Sequence, residues 1–142
     1  MKLKTFQVSL SSDLYNMKNT VNQALEFINE NKPNLNKNDV YDIKLVLNEL
    51  LANAIIHGNK KNKSKNVYLK MKLKKNSIYT KISDEGKGFD YLNYLSKYNS
   101  DKSSQMKENG RGIKLACSLT DCIAFNSLGN EIKFLKKVNP NG

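Results

Sequence analysis

The chain has 142 residues and a formal net charge of +11, with 24 lysine and arginine residues against 13 acidic ones. This length suits a single domain that can bury a core without disulfides or metals. Excess positive charge often indicates nucleic-acid binding, but the lysines are spread over predicted strands, loops and helix ends. Because they form no continuous stripe, a direct nucleic-acid partner is not expected.

The cysteines and the apolar segments limit the class of protein further. Cys117 and Cys122 have no accompanying pair of cysteine or histidine residues. The sequence therefore supports neither a zinc site nor a disulfide framework, and buried free thiols are expected. The first residues lack the apolar core of a signal peptide, and no apolar run is long enough to span a membrane. These features predict a cytoplasmic protein without membrane contact, with one domain at 1–138 and a loose tail at 139–142.

Hydrophobic periodicity predicts the elements along the chain. Alternating apolar and polar residues indicate strands, and apolar residues at three- and four-residue steps between caps and stops indicate helices. In chain order these are a strand at 2–10, a helix from 14 that ends before Pro33, a second helix from Asn36 or Asn38 to Gly58, strands at 67–73 and 78–82, short helices at 91–98 and 113–119, and strands at 122–126 and 132–138. The polar, aperiodic residues 99–109 are expected to form a mobile lid.

The first candidate motif, here called the helix motif, is the segment 48–58 of the second helix. Glu49 and Asn53 lie four residues apart and therefore share one face of an otherwise apolar helix. A glutamate there is costly unless it is paired, hydrated or used, so it either forms a salt bridge with a lysine or acts as a general base near a nucleotide phosphate. Asn53 offers a neutral oxygen that suits Mg²⁺. By itself this pair is weak evidence for a site.

The second candidate, the aspartate motif, occupies residues 84–89 at the end of the predicted hairpin. Asp84 can accept a hydrogen bond there from an exocyclic amine such as that of adenine. Gly86 and Gly88 permit positive φ and a close approach of the backbone to a ligand. An ordinary tight turn is the alternative, since Asp-x-Gly-x-Gly carries no phosphate specificity by itself.

The third candidate, the glycine–arginine motif, occupies residues 110–113 and opens a predicted helix. Free backbone N–H groups at a helix start favour anions, so Gly110 and Gly112 can lie beside phosphates. Arg111 can reach a phosphate with its planar guanidinium group. A solvated loop arginine is the alternative, but Arg111 is the only arginine among many lysines, which weakens that alternative.

In this order and on these elements, the three motifs resemble those of the GHKL or Bergerat-fold ATPases, which share the fold of histidine-kinase catalytic domains. Within that superfamily the chain most resembles the anti-sigma-factor serine/threonine kinases of bacterial partner-switching systems. Those kinases combine Glu-x-x-x-Asn-Ala-x-x-His-Gly, Asp-x-Gly-x-Gly-Phe and Gly-Arg-Gly-Ile/Leu followed by Leu-x-Asp. The matching residues are Glu49, Asn53, Ala54, His57, Gly58, Asp84, Gly86, Gly88, Phe89, Gly110, Arg111, Gly112, Ile113, Leu119 and Asp121.

The resemblance implies an α/β (α+β) two-layer sandwich with the Bergerat, histidine-kinase-like ATPase fold. Helices would pack on one face of a mixed sheet, and ATP with Mg²⁺ would lie between the second helix and the lid. The resemblance also implies that Glu49 is the catalytic base, Asn53 the Mg²⁺ ligand and Asp84 the adenine contact. The other ATP-binding residues it implies form the adenine-side turn and the phosphate side, namely Gly86 and Gly88, and Gly110, Arg111 and Gly112.

The function implied by the resemblance is that of a protein serine/threonine kinase that acts as an anti-sigma factor. Its partners would be a sigma factor and an anti-anti-sigma protein of the STAS type, which it phosphorylates, and it would form a homodimer. One departure lies in the last hairpin, where the family has a Gly-Thr pair and this chain has Gly129 and Asn130. The threonine helps to hold the nucleotide in the family. The alternative function is therefore a nucleotide-binding regulator that sequesters its partner without phosphoryl transfer.

Overall fold

The structure, a computed structural model, describes residues 4–88 and 108–138, except for the side chains of 108–111. In chain order the elements are β1 (Lys4–Ser11), α1 (Leu14–Asn31), α2 (Lys37–Asn53), a π-helical turn (Ala54–Gly58), β2 (Asn66–Leu73), β3 (Ser77–Ser83), α3 (Glu108–Leu119), β4 (Cys122–Phe125) and β5 (Glu131–Lys137). The predicted short helix at 91–98, residues 99–107 of the predicted lid and the predicted tail at 139–142 lie outside the described residues.

The first two helices begin at capping side chains. Asp13 Oδ1 accepts a hydrogen bond from the N–H of Tyr15 at 2.8 Å, and Asn36 Oδ1 accepts one from the N–H of Asn38 at 2.8 Å. Each cap satisfies a backbone donor that has no partner inside its helix. These contacts explain why the polar residues before each apolar stripe mark the helix starts.

Two helix boundaries differ from the prediction. The second helix stops being α-helical after Asn53, because the N–H of Asn59 donates to the carbonyl of Ala54, five residues back, at 2.8 Å. The third helix begins at Glu108 and includes residues predicted as lid and turn. Hydrophobic periodicity starts only at Ile113, so the polar first turn of α3 carried no helical signal.

The sheet has the order β1-β2-β3-β5-β4, and all of its pairs among the described strands are antiparallel. The prediction of a mixed sheet is wrong in this respect. Two helices separate β1 from β2 and bring the chain back in the opposite direction, while β2–β3 and β4–β5 are hairpins. Strands β3 and β4 point the same way, but β5 lies between them, so they form no parallel pair.

The helices cover one face of this sheet, which confirms the two-layer α+β architecture. Val67, Leu69 and Met71 on β2 are buried against the helical layer, whereas Tyr68 on the opposite face is 44% exposed. Both α1 and α3 pack against α2. In the part of the chain that the structure describes, no helix is long and apolar enough to cross a membrane.

The cysteines are both free thiols, as predicted, but they are not both buried. Cys117 on α3 is partly buried, and this burial raises the pKa of its thiol. Cys122 is exposed because it lies on the outward face of β4, opposite Leu135 of β5. The prediction of a buried thiol is therefore wrong for Cys122.

Candidate functional site

Glu49 and Asn53 lie one turn apart near the end of α2, and both side chains are partly exposed. Their helix is otherwise anchored by residues such as Leu50 and Leu51, which are 2% and 0% exposed. Among the described side chains, no salt bridge joins a lysine to Glu49. Glu49 is thus held at the edge of the core without a described counter-charge.

Gly112 on α3 lies directly against the Glu49 side chain. A β-carbon built on Gly112 would overlap Oε2 of Glu49 and would lie 3.1 Å from its Cδ. Only a glycine leaves room for the carboxylate in this position. The packing of α3 on α2 therefore brings the glycine–arginine motif to the helix motif.

Asp84 lies at the end of β3 and is held by contacts on two sides. Its N–H donates to the carbonyl of Asn130 at 2.9 Å, and its Oδ1 accepts a hydrogen bond from the N–H of Gly86 at 2.8 Å. Burial raises the pKa of the Asp84 carboxyl, while the Gly86 N–H and the positive charge of Lys65 act to lower it. The net effect is a half-buried carboxyl with a pKa above its usual value.

The helix motif and the aspartate motif meet where the π-helical turn ends. A β-carbon on Gly58 would overlap the Asp84 carboxylate, and one on Gly86 would overlap the carbonyl of Gly58. The two backbones can approach this closely only because both positions are glycine. The glycines of these two motifs thus set the distance between the end of α2 and the turn after β3.

The remaining glycine of the aspartate motif packs against the last hairpin. Gly88 has φ +97°, and a β-carbon there would overlap the carbonyl of Leu128. Asn130 also reaches this turn, since its Nδ2 lies 3.5 Å from the carbonyl of Gly86. The residue that departs from the family pattern therefore lies beside the aspartate motif.

Asn126 shapes the hairpin that presents Asn130. Its Oδ1 accepts hydrogen bonds from the N–H groups of Gly129, Asn130 and Glu131 at 2.8, 3.1 and 3.2 Å. Its Nδ2 donates to Asn130 Oδ1 at 2.7 Å. The Asn130 side chain is therefore oriented by a second asparagine.

Gly110 and Arg111 lie in the first turn of α3, and their side chains fall outside the described residues. Their backbone position is close in sequence to Gly112, which contacts Glu49. Backbone N–H groups in the first turn of a helix favour anions, which is the role expected for this motif.

Sequence reasoning missed Asn59, which lies directly after the helix motif. Its side chain is 1% exposed and hydrogen-bonded to three different segments. A polar residue directly after a helix stop looks like part of a solvated loop, so local sequence gave no sign of this burial. Its partners are 7 to 47 residues away in the chain.

Sequence reasoning also missed Lys136. It is 9% exposed, and its Nζ donates to the carbonyl of Leu119 at 2.8 Å and lies 3.4 Å from Asp42 Oδ2. Its place in the inward alternation of β5, after Ile132 and Phe134, was a usable signal. This lysine joins β5, the end of α3 and the beginning of α2.

Comparison with known proteins agrees with the fold and the motifs. A family model described as a histidine kinase-like ATPase domain matches residues 10–136. The anti-sigma F factor of Bacillus subtilis (strain 168) is 27% identical over 104 residues, which cover 71% of each chain. The serine-protein kinase RsbW of Staphylococcus epidermidis is 32% identical over 108 residues, which cover 70% of this chain and 68% of that protein.

A likeness among solved structures is found with the mycobacterial sensor histidine kinase MprB, with a TM-score of 0.50 and 12% identity over 96% of this chain and 99% of that one. At this identity the likeness concerns the fold alone. The family-model match, over residues 10–136, spans all three motifs. The chain belongs to the histidine kinase-like ATPase domain family and, within it, is a relative of the anti-sigma-factor serine kinases.

Proposed function

We propose that this protein is an ATP-dependent serine/threonine kinase that acts as an anti-sigma factor in a partner-switching module. The observation that carries the proposal is the meeting of the three motifs, with Gly58 against Asp84 and Gly112 against Glu49. The relatives named as anti-sigma F factors and as a serine-protein kinase support the same function. The substrate would be an anti-anti-sigma protein of the STAS type, and the sequestered partner a sigma factor.

The two ends of the proposed ATP site differ in chemistry. At the adenine end, the Asp84 carboxylate accepts a hydrogen bond from the exocyclic amine of adenine, and Gly86 and Gly88 keep the turn narrow. At the phosphate end lie Gly110, Arg111 and Gly112, whose helix start and guanidinium group favour anions. A homodimer, as the family resemblance implies, remains part of the proposal.

The donor set fits a magnesium ion bound mainly through the nucleotide. Among the described residues no group of three or more histidine, cysteine, aspartate and glutamate side chains could hold a metal alone. Mg²⁺ in nucleotide sites commonly takes only one or two protein oxygens, together with phosphates and waters. Asn53 would supply such an oxygen, and the bound ion would neutralise phosphate charge during transfer.

Glu49 would act on the attacking hydroxyl of the substrate protein. Its carboxylate accepts the proton as the serine or threonine oxygen bonds to the γ-phosphorus and the bond from that phosphorus to ADP breaks. Positioning contributes much of the rate in such reactions, so the contact of Glu49 with Gly112 is part of the proposed machinery.

The substitution Glu49→Gln tests the proposed base. We expect phosphate transfer to the STAS-type partner to fall by about 100-fold or more, while calorimetric binding of an ATP analogue with Mg²⁺ stays close to wild type. Glu30→Gln, which changes an exposed glutamate on α1, is the matched control. Transfer by the Glu49→Gln protein at the wild-type rate would show that the base is another residue.

A binding experiment tests the placement of the nucleotide. Titration of wild type, Asp84→Asn and Asn53→Ala with an ATP analogue and Mg²⁺ should show weaker binding for both variants, because each loses a proposed contact. Undiminished binding in both variants would contradict the site. Stoichiometric phosphorylation of the partner by wild type would also separate a kinase from a regulator that only sequesters its partner.

A further inference from the structure

We propose that Asn59 is a positioning residue for the adenine end of the ATP site. Its side-chain amide replaces the backbone hydrogen bonds that would continue the pairing of β2 with β3, and it thereby fixes the turn that carries Asp84. This inference rests on the proposed function and explains how the same site recognises the adenine of its nucleotide. It concerns a residue outside the three motifs.

The β2–β3 ladder ends at the pair Tyr68 and Ser83. Continued in the same register, the ladder would place Asn66 opposite Glu85 and join their backbones directly. Instead, Asn59 Nδ2 donates to the carbonyl of Asn66 at 2.9 Å, and the N–H of Glu85 donates to Asn59 Oδ1 at 2.8 Å. A carboxamide offers the same donor and acceptor as a peptide unit, so the Asn59 side chain bridges the two strands where they separate.

The orientation of this amide is determined by its contacts. The second hydrogen of Asn59 Nδ2 is donated to Ser12 Oγ at 2.8 Å, and Ser12 Oγ in turn donates to the carbonyl of Lys65 at 2.7 Å. A flipped amide would turn its oxygen towards the carbonyl of Asn66 and its nitrogen towards a backbone donor. Because the side chain is 1% exposed, water cannot replace these partners at low cost.

A second contact closes the bridge from the other strand. The Glu85 carboxylate oxygen Oε2 accepts a hydrogen bond from the N–H of Asn66. Both backbone groups of Asn66 that face β3 are thereby bonded to side chains, one from Asn59 and one from Glu85. The strands are held apart at a defined width rather than left frayed.

This bridge constrains Asp84 from the side that β5 does not reach. The N–H of Asp84 donates to the carbonyl of Asn130, directly before β5, and the next N–H along the chain, that of Glu85, donates to Asn59 Oδ1. The peptide units on both sides of the Asp84 Cα are therefore held, one by the hairpin before β5 and the other by the Asn59 side chain. This sets the position from which the Asp84 carboxylate meets the 6-amino group of adenine.

The test compares ATP with purine riboside triphosphate, which lacks the 6-amino group, by calorimetric titration of the full chain with Mg²⁺. For Asn59→Ala we expect the ratio of the two affinities to fall about five- to tenfold, the scale of one lost hydrogen bond. Affinity for purine riboside triphosphate should change by less than about twofold, since the phosphate end is untouched. Ser11→Ala is the control, because it removes only an exposed hydrogen bond to the carbonyl of Lys63 and should leave both affinities unchanged.

The outcomes separate this inference from the proposed function. If wild type binds neither nucleotide, the proposed ATP site fails and this inference with it. If wild type prefers ATP and folded Asn59→Ala keeps the same preference, or loses affinity for both nucleotides equally, Asn59 has only a structural role and the inference is overturned.

If Asn59→Ala does not fold, Glu85→Ala provides the test instead. Glu85 is exposed, so this variant removes the second half of the bridge without opening the core. The ratio of the two affinities should then fall by about two- to threefold. An unchanged ratio in Glu85→Ala overturns the inference.

Discussion

Replacing Gly112 by alanine should separate catalysis from stability. The added β-carbon would overlap Oε2 of Glu49, but it would make an ordinary contact of 3.7 Å with Glu49 Cβ. Only the carboxylate end therefore has to move, by on the order of 1 Å, through rotation of its side-chain torsions. Because the obstructing atoms belong to the end of a flexible side chain, the backbones of α2 and α3 need not shift.

The stability effect should be small because two terms oppose each other. Alanine is favoured over glycine inside a helix by about 1 kcal/mol. Forcing Glu49 out of its rotamer costs about 0.5–1.5 kcal/mol. We therefore expect the free energy of unfolding of Gly112→Ala to stay within about 1 kcal/mol of wild type.

The catalytic effect should be large, because a displacement of about 1 Å in a positioned group can cost about 100-fold in rate. The assay measures transfer of phosphate from ATP to the STAS-type partner, together with urea unfolding of the same preparations. Ser118→Ala, on the exposed side of α3, is the matched control. Wild-type transfer by a folded Gly112→Ala protein would refute the argument that the glycine holds Glu49 in place.

Three further predictions concern the adenine end of the proposed ATP site and the helical layer. Gly58→Ala places a β-carbon on the Asp84 carboxylate, so calorimetric affinity for ATP should fall about tenfold; unchanged affinity would contradict the placement of Asp84. Because burial raises the pKa of Asp84, its contribution to stability is greatest below its unfolded pKa and is lost as pH rises through its folded pKa. In urea unfolding, the stability of Asp84→Asn relative to wild type should therefore increase as the pH rises from 4 to 7.5. A difference in stability that does not change with pH would contradict this prediction. Lys136→Met leaves the Leu119 carbonyl without its donor and should destabilise the protein by about 1–3 kcal/mol, whereas Lys137→Met, an exposed control, should not.

Local patterns predicted most elements because each element carries its own signal. The alternation of Val67, Leu69 and Met71 predicted β2 and its buried face, and the polar residues before the apolar stripes, Asn36 or Asn38 in the second case, predicted two helix starts. The same logic failed where the signal was weak, at the polar first turn of α3. It also failed at the π-helical turn, where the N–H of Asn59 donates to the carbonyl of Ala54, five residues back, because hydrophobic periodicity does not distinguish this wider turn from an α-helical one.

The candidate site was predictable as a list of residues but not as a set of contacts. Glu49, Asp84 and Gly112 could be named from their motifs and from the family resemblance. That Gly112 packs on Glu49, and that Gly58 packs on Asp84, depends on how α3 and β3 lie against α2. No spacing along the chain encodes these distances.

By itself, the sequence determined the order of most strands and helices and the three motifs, because periodicity, caps and glycine turns act over a few residues. The two-layer class followed from the family resemblance that those motifs carry. Only the tertiary structure decided that β5 lies between β3 and β4, that Lys136 is buried, and that the amide of Asn59 bridges Asn66 and Glu85. These features join residues far apart in the chain. Their free energy comes from burying polar groups with partners, which exist only after the sheet and the helices have packed.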